Sequence, residues 1–245
     1  MVWIYISPHF DDVALSCGGL VWEQSRAGGA VQIWTVCAGT PPPGPLSFFA
    51  EELHERWGMG TEAVRLRREE DRNACNLLGA KLRYYDLPDC IYRRGNSDDS
   101  PLYPNEDSIF GEVHREDRRQ IKRLSRWLRR NIQAGVELVC PLTLGNHVDH
   151  QVTRAAVEKA GFSPLYYADY PYLVEEGDRL EALEEEGLEA EVFPVSEAGL
   201  AAWLRTVEAY GSQISTFWAD VEEMRTELIE YFSREKGVRL WRWIV

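Results

Sequence analysis

Two short polar segments hold three of the five histidines of the chain, each beside aspartates. The first is His9-Phe10-Asp11-Asp12 and the second is His147-Val148-Asp149-His150. Imidazole nitrogens and carboxylate oxygens are ligands that zinc takes in catalytic sites, where three protein ligands leave a fourth position open. The sequence therefore predicts that His9, Asp12 and His150 form a two-histidine, one-carboxylate metal site.

The same segments offer further groups for hydrolytic chemistry. A hydrolytic zinc site needs a base that takes a proton from water and an acid that protonates the departing group, and Asp11 and His147 are the candidates. Asp149 can orient an imidazole ring through the ring's second nitrogen. Structural roles remain open as alternatives, because an aspartate in either segment can cap the helix that follows it.

Each polar segment follows a predicted strand and precedes a predicted helix. The strand Val2–Ile6 leads into the first segment and the helix Val13–Arg26 follows it; the strand Glu137–Cys140 and the helix Gln151–Ala160 flank the second. Open α/β sheets form their ligand crevice outside the carboxyl ends of the strands. We therefore expect the two segments to meet at one edge of a sheet.

The rest of the chain continues this alternation of strands and helices. The strand Val31–Val36 completes a β-α-β unit with the first strand, which implies a parallel pair. The pattern further predicts helices at Thr61–Leu78, Glu116–Ile132, Ala198–Tyr210 and Ala219–Phe232, and strands at Leu82–Leu87, Pro164–Ala168 and Glu191–Val195, the last at an edge because it contains a proline. We expect one α/β domain over residues 1–245, with a mostly parallel sheet flanked by helices.

Two segments without regular periodicity are predicted as long loops. Ala38–Phe49 contains the run Pro41-Pro42-Pro43-Gly44-Pro45, and Ile91–Glu112 is rich in turn-forming residues. Each fits either a plain connector or a lid over the site.

Composition narrows the class of partner and compartment. The net charge of −13 disfavours a nucleic-acid partner and suits a neutral or cationic small molecule. Five scattered cysteines without a C-x-x-C pair fit a reducing cytoplasm, and the apolar N-terminal stretch is too short for a membrane span. Nine tryptophans and eleven tyrosines leave room for an interface in a homo-oligomer.

The paired segments resemble the signatures of the PIG-L/LmbE-like zinc deacetylases. Further segments match the family in the same order and extend the resemblance over most of the chain: Arg67 with Glu70, Leu87-Pro88-Asp89, and Tyr210-Gly211-Ser212-Gln213. Phe10 and Val148 depart from the pattern, since the family usually has proline at both positions.

The resemblance implies a Rossmann-like, LmbE-like fold that binds one zinc ion per chain through His9, Asp12 and His150. Ferrous iron accepts the same ligands. It also implies that Asp11 is the general base and that His147 is the general acid or the oxyanion stabiliser. The implied reaction removes an N-acetyl group from an amino-sugar conjugate and releases acetate and a free amine.

Three residues are expected to contact the substrate or shape its pocket. The resemblance places Asp89 against the sugar. Arg67 is a weaker candidate, because a helix-surface ion pair with Glu70 or Asp71 would explain it equally well. Phe10 can form a pocket wall, although packing beneath the loop is the favoured interpretation.

Two other functions remain as alternatives. A metal-dependent phosphoesterase would use similar residues, but two-metal phosphatases need more bridging carboxylates than these segments supply. A sugar- or nucleotide-binding module could keep the metal site without catalysis, since a fold alone does not guarantee activity. A Rossmann dehydrogenase is excluded, because the first loop lacks G-x-G-x-x-G.

Overall fold

The structure of the protein is a computed structural model that describes residues 1–235 and 237–244. A sheet of seven strands runs through this part of the chain. The strands are β1 (Val2–Ser7), β2 (Ala30–Thr35), β3 (Lys81–Tyr84), β4 (Val136–Pro141), β5 (Leu165–Tyr167), β6 (Leu188–Pro194) and β7 (Gly237–Trp243). Their order is β3-β2-β1-β4-β5-β7-β6. Strands β1 to β5 pair in parallel, and β7 is antiparallel to both of its neighbours.

Helices cover both faces of this sheet. They are α1 (Asp12–Arg26), α2 (Phe48–Arg56), α3 (Ala63–Leu78), α4 (Glu106–Ile109), α5 (Arg118–Asn131), α6 (Val148–Lys159), α7 (Gly177–Glu185), α8 (Glu197–Glu208), α9 (Gly211–Phe217) and α10 (Val221–Glu235). Helices α1, α3 and α8 pack together, and α5 packs on α6. In the described part of the chain, no helix is both long and apolar enough to cross a membrane.

Strand β1 shows why the sheet needs this cover. Tyr5 packs into the apolar cluster built by α1, α3 and α8, whereas Ile4 and Ile6 pack into the cluster built by α5 and α6. Alternate side chains on a strand point to opposite faces, so both faces of β1 are buried. This explains the nearly continuous apolar run that leads into the first polar segment.

The predicted α/β architecture with a mostly parallel sheet is confirmed, and the main differences concern individual elements. The helix predicted at Gln151 begins at Val148, so Asp149 lies inside its first turn and does not cap it. The predicted loop Ala38–Phe49 ends in α2, whose N-cap is Ser47: its hydroxyl accepts a hydrogen bond from the Ala50 N–H at 3.2 Å.

Strand β7 is the one strand of the described sheet that the sequence pattern did not predict. Val238 and Leu240 pack into one apolar cluster and Trp241 into the other, as expected for a strand buried on both faces. Arg239 and Arg242 interrupt the apolar run and hide it. The Arg239 guanidinium lies 5.7 Å from the centre of the Trp241 ring, which lets the charged residue remain within the strand.

Asp71, on α3, is a buried carboxyl group that accepts a hydrogen bond from the Tyr210 hydroxyl at 2.8 Å. Burial raises the pKa of Asp71 from its ordinary value of 3.8 to about 6, although Tyr210 opposes the shift. The folded state therefore holds this proton where the unfolded chain has already lost it. Stability contributed by the protonated group is consequently lost as the pH rises from about 4 to about 6.

We expect Asp71→Asn to raise the free energy of unfolding at pH 7 by about 1–3 kcal/mol, because the variant has no buried carboxylate to ionise. At pH 4 the variant and the wild type should differ much less. Urea unfolding at the two pH values measures both differences, with Asp178→Asn on the exposed surface of α7 as the control. An equal change at both pH values would contradict the assignment.

Candidate metal and active site

The site lies where the strand order of the sheet reverses. Strands β1 and β4 are neighbours there, and their carboxyl ends lead into the two polar segments. His147 is the N-cap residue of α6, and its Nδ1 accepts a hydrogen bond from the Asp149 N–H at 3.2 Å. The structure thus brings the two segments together at the crevice that this topology creates.

The Asp12 carboxylate lies between two histidines. Its Oδ2 is 3.4 Å from Nδ1 of His9, and its Oδ1 is 3.3 Å from Nε2 of His150. The backbone N–H of His9 donates to Oδ2 of Asp12 at 2.6 Å and fixes the carboxylate. One ring nitrogen from each of His9, His147 and His150 lies within 4.8 Å of the other two. The three predicted ligands therefore converge, and His147 stands beside them.

Each of the two histidines uses its other nitrogen to contact a buried carboxylate. Nε2 of His9 is 3.1 Å from Oδ2 of Asp149, and Nδ1 of His150 is 2.6 Å from Oδ1 of Asp169. Asp169 in turn accepts a hydrogen bond from the Leu144 N–H at 3.0 Å. Carboxylates in this position fix the orientation and tautomer of metal-binding imidazoles. The ring that Asp149 contacts is that of His9.

The charges at this cluster suit a bound cation. Burial works against a charge on His150, but Asp12 and Asp169 prevail and raise its pKa to about 9. Burial likewise opposes ionisation of Asp12, yet His150 and His9 hold its pKa well below the usual range. The carboxylates around His9 and His150 thus favour positive charge here, which a divalent cation can supply. Two imidazoles and one carboxylate fit a single zinc or ferrous ion with an open position.

Asp11 faces a different partner from Asp12. Its Oδ1 is 3.2 Å from Nη2 of Arg67, and both side chains are buried. Burial raises the pKa of Asp11, while the Arg67 guanidinium opposes the shift. The alternative of a helix-surface ion pair with Glu70 or Asp71 does not hold for Arg67, because the residue is 6% exposed and lines the cleft. Glu70 instead accepts hydrogen bonds from Ser212 on α9.

The other two predicted substrate residues occupy different places. Asp89 lines the cleft in front of the site, with its Oδ2 3.7 Å from Nε2 of His9. Phe10 is 4% exposed and packs edge to face on Tyr84, with the Arg67 guanidinium 5.5 Å from its ring centre. Phe10 therefore supports Arg67 from beneath, in agreement with the favoured packing interpretation.

An open cleft leads to His9, Asp11, Asp12 and His147. Aromatic and aliphatic side chains form much of its wall, among them Phe49, Leu53, Trp57, Phe110, Tyr172 and Phe217. The predicted loops Ala38–Phe49 and Ile91–Glu112 both contribute to this wall. An apolar cleft with a few convergent polar groups is the usual form of a small-molecule site.

Sequence reasoning missed Asp169, Tyr172 and Arg93. Asp169 follows β5 at the same edge of the sheet, so the strand-end argument applied to the polar segments would have found it. Tyr172 packs against His150 with ring centres 6.2 Å apart, and it fills the space beside Gly145. Arg93 lies in the stretch interpreted as a surface loop, where no periodicity marks it as buried.

We expect Asp169→Asn to weaken metal affinity by about 10–100-fold, because the amide orients the His150 ring less firmly than a carboxylate does. Competition with a metal-binding dye measures this change directly. The exposed substitution Asp178→Asn is the control. Unchanged affinity in a folded Asp169→Asn protein would show that this carboxylate does not act on the site.

Comparisons with known proteins agree with these observations. The family model described as PIG-L: GlcNAc-PI de-N-acetylase matches residues 4–161. A 2'-N-acetylparomamine deacetylase of Niallia circulans is 30% identical over 186 residues, covering 69% of this chain and 66% of that protein. A protein of the same name from Streptomyces fradiae is 32% identical over 179 residues, covering 69% and 57%. The matched region therefore spans less than two thirds of either relative.

The fold is shared with a structurally characterised deacetylase. A crystal structure of the zinc-inhibited form of teicoplanin deacetylase Orf2 superposes with a TM-score of 0.80 at 24% identity. The superposition covers 99% of this chain and 97% of the other. At this level of identity the likeness concerns the fold.

Proposed function

The chain belongs to the PIG-L family, and from this we propose that it is a zinc-dependent N-deacetylase acting on an acylated amino-sugar conjugate. One observation carries the proposal: the Asp12 carboxylate lies between His9 and His150 at the end of an open cleft, with Asp11 beside it. The products would be acetate and a free amine.

His9, Asp12 and His150 would hold the ion in this proposal, with zinc favoured and ferrous iron as the other fit. A bound zinc ion would supply Lewis-acid polarisation of the amide carbonyl and lower the pKa of a water molecule toward about 7. Asp149 and Asp169 would keep the two imidazole rings in the orientation that binding requires.

Asp11 is suited to accept the proton of the attacking water. Burial raises its pKa, which makes the carboxylate a stronger base, while the Arg67 guanidinium opposes that rise. The pair with Arg67 also fixes the direction in which the carboxylate points. In this proposal the same carboxyl group, once protonated, would deliver that proton to the departing nitrogen.

His147 is suited to stabilise the oxyanion as a neutral hydrogen-bond donor. Burial, together with the neighbouring His9 and His150, lowers its pKa well below the usual range. Since Nδ1 accepts the Asp149 N–H, a neutral ring carries its proton on Nε2. The hydrogen bond that a fixed N–H group donates to the oxyanion strengthens as negative charge develops in the transition state. Of the two roles predicted for His147, this one agrees with its surroundings.

The cleft and the charge of the protein support an amino-sugar conjugate as the substrate. Asp89 lies at the cleft beside His9 and can accept hydrogen bonds from sugar hydroxyl groups, while Arg67 lines the same cleft and pairs with Asp11. The aromatic wall offers surfaces for sugar rings. The net charge of −13 favours an amine product or a cationic conjugate. We propose a cytoplasmic enzyme, consistent with five unpaired cysteines.

Acetate release from a panel of substrates tests the proposal. The panel contains N-acetylated amino sugars, aminoglycosides, thiol and nucleotide conjugates and chito-oligomers. We expect release that a chelator abolishes and one equivalent of zinc restores. Bound metal without hydrolysis of any substrate would favour the binding-module alternative, and phosphate release from ester substrates would favour a phosphoesterase.

A further inference from the structure

Arg93 is a buried cation separated from the candidate metal site by a single carboxylate. Its Nη2 contacts Oδ1 of Asp149, and its Nη1 lies 2.9 Å from Oδ2 of Asp117. The guanidinium lies over the ring of Tyr103, whose hydroxyl donates to Asp117 at 3.0 Å. The side chains of Arg93, Asp149 and Asp117 are 5%, 0% and 1% exposed. One guanidinium thus bridges two carboxylates away from water.

Asp149 also belongs to two further groups of side chains that are close enough to hold a metal ion. The ligand atoms of His9, Cys37 and Asp149 lie within 4.8 Å of one another, and so do those of Cys90, His147 and Asp149. Thiolate, imidazole and carboxylate are all good ligands for zinc and cobalt. An ion in either group would share His9 or His147 with the proposed catalytic centre, and would disturb it.

We propose that Arg93 is a positioning residue that keeps this centre mononuclear: its guanidinium takes the place of a second metal ion beside Asp149 and holds that carboxylate on His9. The inference rests on the metal-binding part of the proposed function. An arginine does not lose its proton inside a protein, so this cation is permanent. A second metal ion at the thiols would stand against a fixed positive charge in a buried, weakly screened place.

The groups that face Asp149 also support Arg93 as the substitute for a second metal ion. Asp149 accepts a hydrogen bond from the Cys90 N–H at 3.0 Å and contacts His9 at 3.1 Å, but Arg93 is its permanent cationic partner. Without Arg93, Asp149 and Asp117 would be two buried carboxylates that lack this counter-ion. A metal ion bound by the nearby thiols would supply the missing positive charge and release the thiol protons.

Cobalt titration of the metal-free chain tests this inference. The readouts are bound cobalt per chain, measured after desalting, and the near-ultraviolet sulfur-to-cobalt charge-transfer band that a thiolate ligand produces. We expect the wild type to bind one ion without a sulfur band, even in excess cobalt. The double variant Arg93→Met/Asp117→Asn removes one cation and one anion together, so its buried charge stays balanced; it should bind a second ion and show the band.

Further variants assign the effect to the guanidinium. The single variant Arg93→Lys keeps the positive charge. Like the wild type, it should bind one ion without the band. Adding Cys37→Ser and Cys90→Ser to the double variant should abolish the band. Arg94→Met is the matched control, because Arg94 pairs with exposed Asp99 and should leave metal binding and activity as in the wild type.

Two results would overturn the inference. One is a folded double variant that still binds one ion without a sulfur band. The other is a second ion with a sulfur band in the wild type, which is decisive even if the double variant does not fold. A wild type that binds no cobalt would count against the proposed function, and a sulfur band confined to the double variant would still support the role of Arg93.

Discussion

Asp11→Asn is expected to lower the rate of acetate release by about 10³-fold and to leave the metal content at one ion per chain. The amide keeps the size of the carboxylate but cannot accept the proton of the attacking water. Asp11 contacts Arg67, whereas Asp12 faces His9 and His150, so the loss of Asp11 should spare the ligands. Steady-state rates on the best substrate of the panel, together with metal analysis of the same sample, measure the two effects.

The matched control for this variant is Asp178→Asn, which makes the same chemical change on the exposed surface of α7. It should retain wild-type activity. If Asp11→Asn instead loses metal to the same extent as a ligand variant, then Asp11 is a ligand and the assignment of the base is wrong. If it keeps near wild-type activity, the base lies elsewhere in the cleft.

His150→Ala is expected to lose the metal itself and, with it, all measurable hydrolysis. The substitution removes the nitrogen that faces Asp12 and leaves two donors, which do not hold a catalytic ion firmly. The loss of affinity should far exceed the roughly 10–100-fold expected for Asp169→Asn, because that residue acts only through the ring. Equilibrium dialysis against zinc measures the affinity.

The alanine variant also leaves the buried Asp169 carboxylate without its histidine partner, so folding must be checked by circular dichroism before metal loss is interpreted. His114→Ala, outside the cluster, is the control for removal of a histidine. A folded His150→Ala protein that binds zinc as tightly as the wild type would refute the ligand set.

The sequence could predict that the two polar segments lie at the same edge of the sheet, because the β-α alternation puts the carboxyl ends of parallel strands there. His9 and His147 lie far apart in the chain, yet both follow strands that are neighbours in the sheet. The sequence could not predict that Arg67 faces Asp11, because helical periodicity indicates which side of a helix is buried but not what that side packs against. Strand β7 was hidden by its arginines, and α2 by the prolines that precede it.

The carboxylates that contact the histidines could likewise be predicted from the sequence only in part. Asp149 was recognised because it lies between two histidines in the sequence, whereas Asp169 reaches His150 only through the pairing of β4 with β5. Arg93 binds Asp149 across 56 positions, and its burial depends on how the loop after β3 folds back. Contacts of this kind depend on tertiary packing, which short-range patterns do not encode.

At the crevice between β1 and β4, the proposed metal ligands and the cleft wall come from different parts of the chain. The proposed ligands are held by backbone pairing in the sheet, while much of the cleft wall comes from segments inserted between sheet elements, such as α2 and α4. Apart from Asp89 and Arg93, which contact His9 and Asp149, those insertions form cleft wall and can change while the strand ends stay in place. Exchanging them between homologues is therefore a direct engineering route to new selectivity, with the reaction chemistry carried over intact.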